Sequence, residues 1–284
     1  IYHQPKVGRA ENKGRQTVNR NKPAVLDRSE KSGQQILMPR LKLVVAYTGT
    51  HFQGWQVQPA ARTVQGVLQE ALTTICAQPV VVHGSGRTDS GVHALGQVAH
   101  ADIPVKRLNV PWVRALNRML PEDVAVLEAE YVSSAFHAQY AAKEKEYIYS
   151  LWTHPDYVLP QDRPYVWWVS GVDIAAMQGA ARIIKGEHDF AAFQNTGTPV
   201  AHTLRHMRRV DIRTRTHRID THFIANGFLK QMARNLMAAL VAVGTGKMSL
   251  EQVKALLKGR DRRPGPATAP ARGLTLARVM YSNQ

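Results

Sequence analysis

From residue 41 onwards, apolar residues recur at two spacings that predict short strands and amphipathic helices in a regular order. Continuous β-branched and apolar runs predict strands, and apolar positions three and four residues apart predict helices. In the first half the predicted strands are 41–47, 80–83, 97–103 and 124–132, and the predicted helices are 63–77, capped by Thr63, and 110–120. The order β-α-β-β-α-β is that of a ferredoxin-like unit.

The second half of the chain repeats this order. It contains predicted strands at 146–152, 204–215, 218–225 and 274–281 and predicted helices at 173–186, 228–244 and 249–259, the last with a capping box formed by Ser249 and Gln252. We therefore expect an α+β fold of two ferredoxin-like halves, residues 38–140 and 141–284. Their mainly antiparallel sheets would flank a central cleft that holds the catalytic site, because clefts between domains are common ligand sites.

Residues 1–37 differ from the rest of the chain. They carry eight basic and three acidic residues and show no sustained apolar period, which is typical of a disordered basic tail. Met38 stands directly before the first predicted strand. Two interpretations remain open: the tail is upstream sequence outside the natural product, or it is a basic arm that strengthens binding.

The charge of the chain points to a partner. Lysine and arginine number 37 against 21 acidic residues, a net charge of +16, which favours a polyanion. A membrane-spanning helix needs about 18 consecutive apolar residues, and no apolar run in the sequence approaches that length. No basic amphipathic helix with a bulky apolar face stands out either. We therefore expect a cytoplasmic protein that binds nucleic acid and no membrane. The single cysteine, Cys76, sits at an apolar helical position, and we expect no metal site.

One glycine-rich segment, GSGRTDSGVHA (84–94), surrounds Arg87 and Asp89 with three glycines, Gly84, Gly86 and Gly91. Glycine adopts turns that are closed to other residues, so the segment can lift both charges into a cleft. Arg87 is near enough in sequence to pair with Asp89 and keep it ionised. An oriented carboxylate can act as nucleophile, base or electrostatic stabiliser. A structural salt bridge that pins a turn explains the same residues equally well.

A second charged pattern lies within the predicted strand 204–215. Arg209, Asp211, Arg213 and Arg215 alternate with apolar residues, so they share one strand face. With the strongly basic chain, this face suits contact with RNA phosphates. A merely solvated strand face is the competing interpretation.

Several segments together resemble one known family. GSGRTDSGVHALGQVAH (84–100) is similar to the signature segment of the TruA-type tRNA pseudouridine synthases. Further segments resemble other motifs of that family in the same order, namely YTGTHFQGWQ (47–56), FHAQYAAKEKEYIYSLW (136–152), HDFAAF (188–193), FLKQMARNLMAAL (228–240) and ARGLTL (271–276). The resemblance covers nearly the whole chain after the tail.

The resemblance implies a role for each matching site residue. The catalytic aspartate of the family falls on Asp89, and the arginine that precedes it falls on Arg87. Its active-site tyrosine falls on Tyr147, which would stack on the target base. Its helical arginine falls on Arg234, and we expect Arg234 to pair with Asp89 across the cleft. Arg87 would also fill the space that the displaced base leaves.

The resemblance further implies the reaction and the partners. The enzyme would isomerise uridine to pseudouridine at positions 38, 39 and 40 in the anticodon stem-loop of tRNA, as a homodimer and without a cofactor. Two alternatives remain. One is a catalytically silent tRNA-binding protein or RNA chaperone, which would not need Asp89. The other is a synthase that acts on other uridines or on a different RNA.

Overall fold

The computed structural model describes residues 38–197 and 200–282, and the predicted basic tail, residues 1–37, lies outside the described residues. Ten strands belong to one sheet. They are β1 (Arg40–Tyr47), β2 (His83–Gly84), β3 (His93–Asp102), β4 (Val124–Val132), β5 (Ala142–Trp152), β6 (Trp167–Trp168), β7 (Gly186–Asp189), β8 (Leu204–Arg215), β9 (Arg218–Ala225) and β10 (Leu274–Tyr281). In the part of the chain so described, no helix is long and apolar enough to cross a membrane.

Five α-helices accompany the sheet. They are α1 (Val64–Cys76), α2 (Trp112–Asn117), α3 (Ile174–Ile184), α4 (Met232–Gly244) and α5 (Leu250–Gly259). The Thr63 hydroxyl caps α1, and the capping box of Ser249 and Gln252 is present at the start of α5, as predicted. Four strands have the predicted bounds, namely β4, β8, β9 and β10.

Several predicted elements are shorter than the sequence pattern suggested. In place of the strand predicted at 80–83, the structure has the two-residue β2 at His83–Gly84. Side chains of α1 occupy the backbone groups of Val82 that would otherwise form a ladder. Gln65 donates to the Val82 carbonyl at 2.8 Å, and Gln69 accepts from the Val82 N–H at 3.1 Å. The helix predicted from 228 begins at Met232, since Gln231 has the left-handed φ of +60°.

The sheet runs in the order β4-β1-β3-β10-β5-β9-β8-β7, with β2 on β3 and β6 on β5. Its pairs are mostly antiparallel. The parallel pair of β3 with β10 joins the strands of the two predicted halves into one sheet. A single core cluster extends over both halves, from Leu41 on β1 to Val279 on β10, and Cys76 lies fully buried within it, as predicted.

The register of the central strands aligns Tyr47 with Tyr147 across the sheet. Tyr47 pairs with Ala94, Ala94 with Leu276, and Leu276 with Tyr147. These four residues therefore form one row across four neighbouring strands, on one face of the sheet. Three interstrand spacings, about 14 Å, separate the backbones of the two tyrosines. Helix α4 contacts β5 and packs against α3.

Candidate active site

The carboxylate of Asp89 and the guanidinium of Arg234 form an ion pair, with 3.1 Å between Oδ2 and Nη1. Asp89 lies on the segment that connects β2 to β3, and Arg234 lies in the first turn of α4. Arg234 also donates through Nε to the Ala269 carbonyl at 2.7 Å, which fixes the plane of the guanidinium. Its side chain is 13% exposed and that of Asp89 is 28% exposed. The predicted ion pair between Arg234 and Asp89 is thus confirmed, and the carboxylate remains partly exposed to solvent.

The segment around Asp89, residues 85–92, is held on both sides of the aspartate, and we call it the catalytic loop after the role that the family resemblance implies for Asp89. The Thr88 hydroxyl shares a 2.8 Å hydrogen bond with the Tyr47 hydroxyl, and the Thr88 carbonyl accepts from Trp55 N at 3.1 Å. On the far side of Asp89, the Ser90 hydroxyl donates to the Phe52 carbonyl at 3.2 Å. The buried Thr88 side chain therefore points into the core, while the Asp89 carboxylate pairs with Arg234.

The three glycines of the segment 84–91 serve different purposes. Only Gly91 among them has a positive φ, +78°, that requires glycine. Gly84 lacks a Cβ because the Trp55 ring would lie 2.5 Å from it, and Gly86 leaves room for the ammonium of Lys145. The prediction that all three provide unusual turns is therefore wrong for two of them, where close packing is the reason.

The predicted pair between Arg87 and Asp89 is also wrong. Arg87 is exposed and donates through Nε to the Gln56 side chain at 3.2 Å, and within the described residues no ion pair joins it to Asp89. The Arg87 guanidinium is held by the Gln56 side chain instead, and Arg234 supplies the positive charge at Asp89.

Tyr147 lies on β5, and its ring packs edge-to-face on Phe228 with 4.8 Å between ring centroids. Burial raises the pKa of the Tyr147 hydroxyl well above its usual range, and the charges of Tyr47 and Asp89 raise it further. Tyr147 is therefore neutral. No described residue forms a hydrogen bond with its hydroxyl.

His93, at the end of the glycine-rich segment, packs the loop from below. Its Nδ1 accepts from Gly49 N at 3.1 Å, and its Nε2 lies 3.1 Å from the Pro164 carbonyl, to which it donates. Burial lowers the pKa of this imidazole, which favours the neutral ring that the two contacts require. Both ring nitrogens are thereby used within the protein.

A comparison with known proteins identifies the chain. The sequence model of the family described as tRNA pseudouridine synthase matches residues 43–141 and 180–282. The chain belongs to the tRNA pseudouridine synthase family. It is 56% identical to tRNA pseudouridine synthase A of Solidesulfovibrio magneticus over 86% of this chain and 92% of the relative. It is 49% identical to the protein of that name in Maridesulfovibrio salexigens, over 86% of this chain and 91% of the relative. The protein is accordingly an isomerase that converts uridine to pseudouridine in tRNA.

Sequence reasoning missed the residues that orient Arg234 in this synthase. The next residue, Asn235, is almost fully buried, and its Nδ2 donates to the Phe193 carbonyl at 2.8 Å. Its Oδ1 accepts from the Thr268 hydroxyl at 2.8 Å. Asn235 therefore ties the first turn of α4 to two loops. A polar residue inside an otherwise apolar helix face was the available signal.

The arginines of β8 lie on the synthase surface, as the alternation predicted. Val210 and Ile212 pack against the core, while Arg213 and Arg215 are exposed and form no ion pair with any described residue. Arg209 differs, because it is paired with Asp211. Two of the three candidate phosphate-binding arginines therefore keep an unpaired charge. Elsewhere in residues 38–197 and 200–282, no group of three His, Cys, Asp or Glu side chains could hold a metal ion.

Proposed function

We propose that Asp89 is the catalytic carboxylate of this synthase and that its substrates are the uridines at positions 38, 39 and 40 in the anticodon stem-loop of tRNA. One observation carries the assignment: Asp89 pairs at 3.1 Å with Arg234, 145 residues away, beside the buried ring of Tyr147. The same three residues occupy the family positions in the matching motifs. A carboxylate that is both oriented and partly exposed is suited to attack or to proton removal.

The reaction breaks the bond between the sugar and the ring nitrogen, rotates the uracil and rejoins the sugar to a ring carbon. No atom is gained or lost and no electron leaves the substrate, so the chemistry needs no cofactor. Asp89 acts as nucleophile or base. Arg234 holds the carboxylate in place through the 3.1 Å ion pair, while its own guanidinium is fixed by the Ala269 carbonyl. Tyr147 offers a ring on which the displaced uracil stacks.

A paired target base must leave its stack, which costs a few kcal/mol. Arg87 is exposed, and among the described residues its hydrogen bond is to Gln56, so it is free to move into the vacated space. Further away, Arg209, Arg213 and Arg215 contact the RNA backbone, with the unpaired Arg213 and Arg215 contributing most. We place the enzyme in the cytoplasm as a homodimer on the family resemblance.

The proposal includes the architecture of the two halves, residues 38–140 and 141–284. In the first, the sheet order is β4-β1-β3 with β2 on the other side of β3, and in the second it is β10-β5-β9-β8. Numbering the four main strands within each half yields the order 4-1-3-2 twice, which supports two ferredoxin-like units. The catalytic pair then takes one member from each unit.

The test compares Asp89→Asn with Asp123→Asn, which breaks a different ion pair, that of Arg62. Both variants and the wild type are incubated with tRNA that lacks pseudouridine, and the modified positions are mapped. We expect modification at positions 38 to 40 by the wild type and Asp123→Asn and none by Asp89→Asn. Turnover by Asp89→Asn would refute the catalytic assignment. Binding of tRNA without modification by the wild type would favour the silent RNA-binding alternative.

A further inference from the structure

Lys145 contacts the catalytic loop from the opposite half of the protein. It lies on β5, two residues before Tyr147, so both side chains are on the same face of the sheet. Its Nζ donates to the Ser85 carbonyl at 2.7 Å. Ser85 is the first residue of the catalytic loop, four residues before Asp89. Lys145 and Tyr147 therefore lie beside each other beneath the same loop.

The loop is shaped to receive this ammonium group. A Cβ on Gly86 would lie 2.6 Å from Lys145 Nζ, and the next nearest atom, the lysine Cε, is 3.8 Å away. The loop thus approaches the charged end of the lysine as closely as a glycine permits. Burial lowers the pKa of Lys145 to about 8. Keeping a largely desolvated ammonium here costs free energy, which is offset by its charge-assisted hydrogen bond to Ser85.

The other contacts of the loop show why this one is distinctive. The side chains and backbone groups that hold Ser85, Thr88 and Ser90 belong to the first half, and they are Tyr47, Phe52, Trp55, Gln97 and Val98. Among the described residues beyond 141, two side chains form hydrogen bonds with residues 85–91. These are Arg234, on the Asp89 carboxylate, and Lys145, on the Ser85 backbone. The position of Asp89 relative to Tyr147 therefore depends on both.

We propose that Lys145 is a positioning residue that docks the catalytic loop on β5 and so sets the distance from Asp89 to the base stacked on Tyr147. This inference rests on the proposed role of Asp89. Lys145 acts through the loop and has no direct contact with substrate, so its loss displaces the carboxylate and lowers kcat. It leaves the RNA-binding surface, and hence KM, nearly unchanged.

The test uses Lys145→Met, which keeps the length of the side chain and removes its charge. Lys143→Met is the matched control, because Lys143 lies on the same strand, is exposed and has no contact with the loop. Steady-state kinetics with unmodified tRNA should show a fall in kcat of about 10-fold to 100-fold for Lys145→Met, since small misplacements of a reacting group cost that much. Its KM should stay within about twofold, and Lys143→Met should change neither value by more than about twofold.

A rescue experiment separates positioning from misfolding. Lys145→Cys is treated with 2-bromoethylamine, which rebuilds an ammonium at nearly the length of lysine. The native Cys76 is fully buried and should not react in the folded protein, and treated wild type checks this. We expect the treatment to restore most of the lost kcat. Failure of rescue in a variant with wild-type thermal unfolding would overturn the proposal.

Two further outcomes are decisive. A rise in KM with unchanged kcat for Lys145→Met would overturn the proposal, because it would mean that Lys145 binds RNA directly. The same assays with Asp89→Asn distinguish the two levels of the argument. If Asp89→Asn is inactive and Lys145→Met is fully active, the inference about Lys145 fails while the catalytic assignment stands.

Discussion

Gly54 packs directly against the catalytic loop. A substitution at Gly54 should therefore displace Asp89 while leaving the Asp89 residue itself unchanged. A Cβ at this position would lie 2.7 Å from the Thr88 carbonyl oxygen and 3.2 Å from both the Asp89 carbonyl carbon and Ser90 N. Gly54 also has a φ of +88°, which residues with a side chain rarely adopt. Gly54→Ala therefore introduces two separate costs, one in the backbone conformation and one in the contact with the loop.

The magnitude of each cost follows from the geometry. The backbone term is about 1–2 kcal/mol of unfolding free energy. To reach an ordinary contact, the Thr88 oxygen must move by about 0.5–0.7 Å, and it then loses its hydrogen bond from Trp55 N, worth about 1 kcal/mol. A shift of that size at Thr88 is carried to the adjacent Asp89. We expect kcat to fall by about 10-fold or more, with KM little changed.

Gly171→Ala is the matched control for this prediction. Gly171 has a φ of +67°, and a Cβ there would meet nothing within 4 Å, so this variant incurs the backbone cost alone. Urea unfolding and steady-state kinetics are measured for both variants. We expect both to lose stability, Gly54→Ala more than Gly171→Ala, and only Gly54→Ala to lose kcat. Equal kcat values in the two variants would refute the reasoning that the close approach of Gly54 positions Asp89.

Two further predictions concern acid stability and RNA binding. Burial, with nearby Arg40 and other histidines, lowers the pKa of His100 to about 4, and the neutral ring accepts from Ala138 N. Between pH 6.5 and pH 4 the unfolded chain binds more protons than the folded protein, so the free energy of unfolding should decrease by up to about 3 kcal/mol over this range as the pH is lowered. In urea unfolding at these two pH values, His100→Gln should lose less stability than the wild type. An equal loss in the two proteins would contradict this prediction. For RNA binding, Arg213→Gln and Arg215→Gln should each reduce the slope of log Kd against log salt by about 1, as measured by filter binding with tRNA, and the paired Arg209→Gln should reduce it less. Unchanged slopes for both unpaired arginines would exclude this face from the RNA interface.

Much of the secondary structure could be predicted because it is encoded locally. The apolar spacing along 63–77 and 249–259 reports which side of each helix is buried, and hydroxyl residues at the correct offset cap both. The alternation along 204–215 likewise separates an inner from an outer strand face. The motif residues were also recognisable from sequence, since they lie in short segments around Asp89, Tyr147 and Arg234.

What the sequence by itself determined is therefore the order of the main elements, the family and the residues that are candidates for the site. The tertiary structure decided which of these residues touch. It assigned the positive partner of Asp89 to Arg234 and left Arg87 on Gln56. It replaced the strand predicted at 80–83 by the two residues His83–Gly84, and it brought Lys145 into contact with the catalytic loop. The physical reason is common to all of them. Each depends on groups that become neighbours only when the chain packs, and local spacing carries no information about those distances.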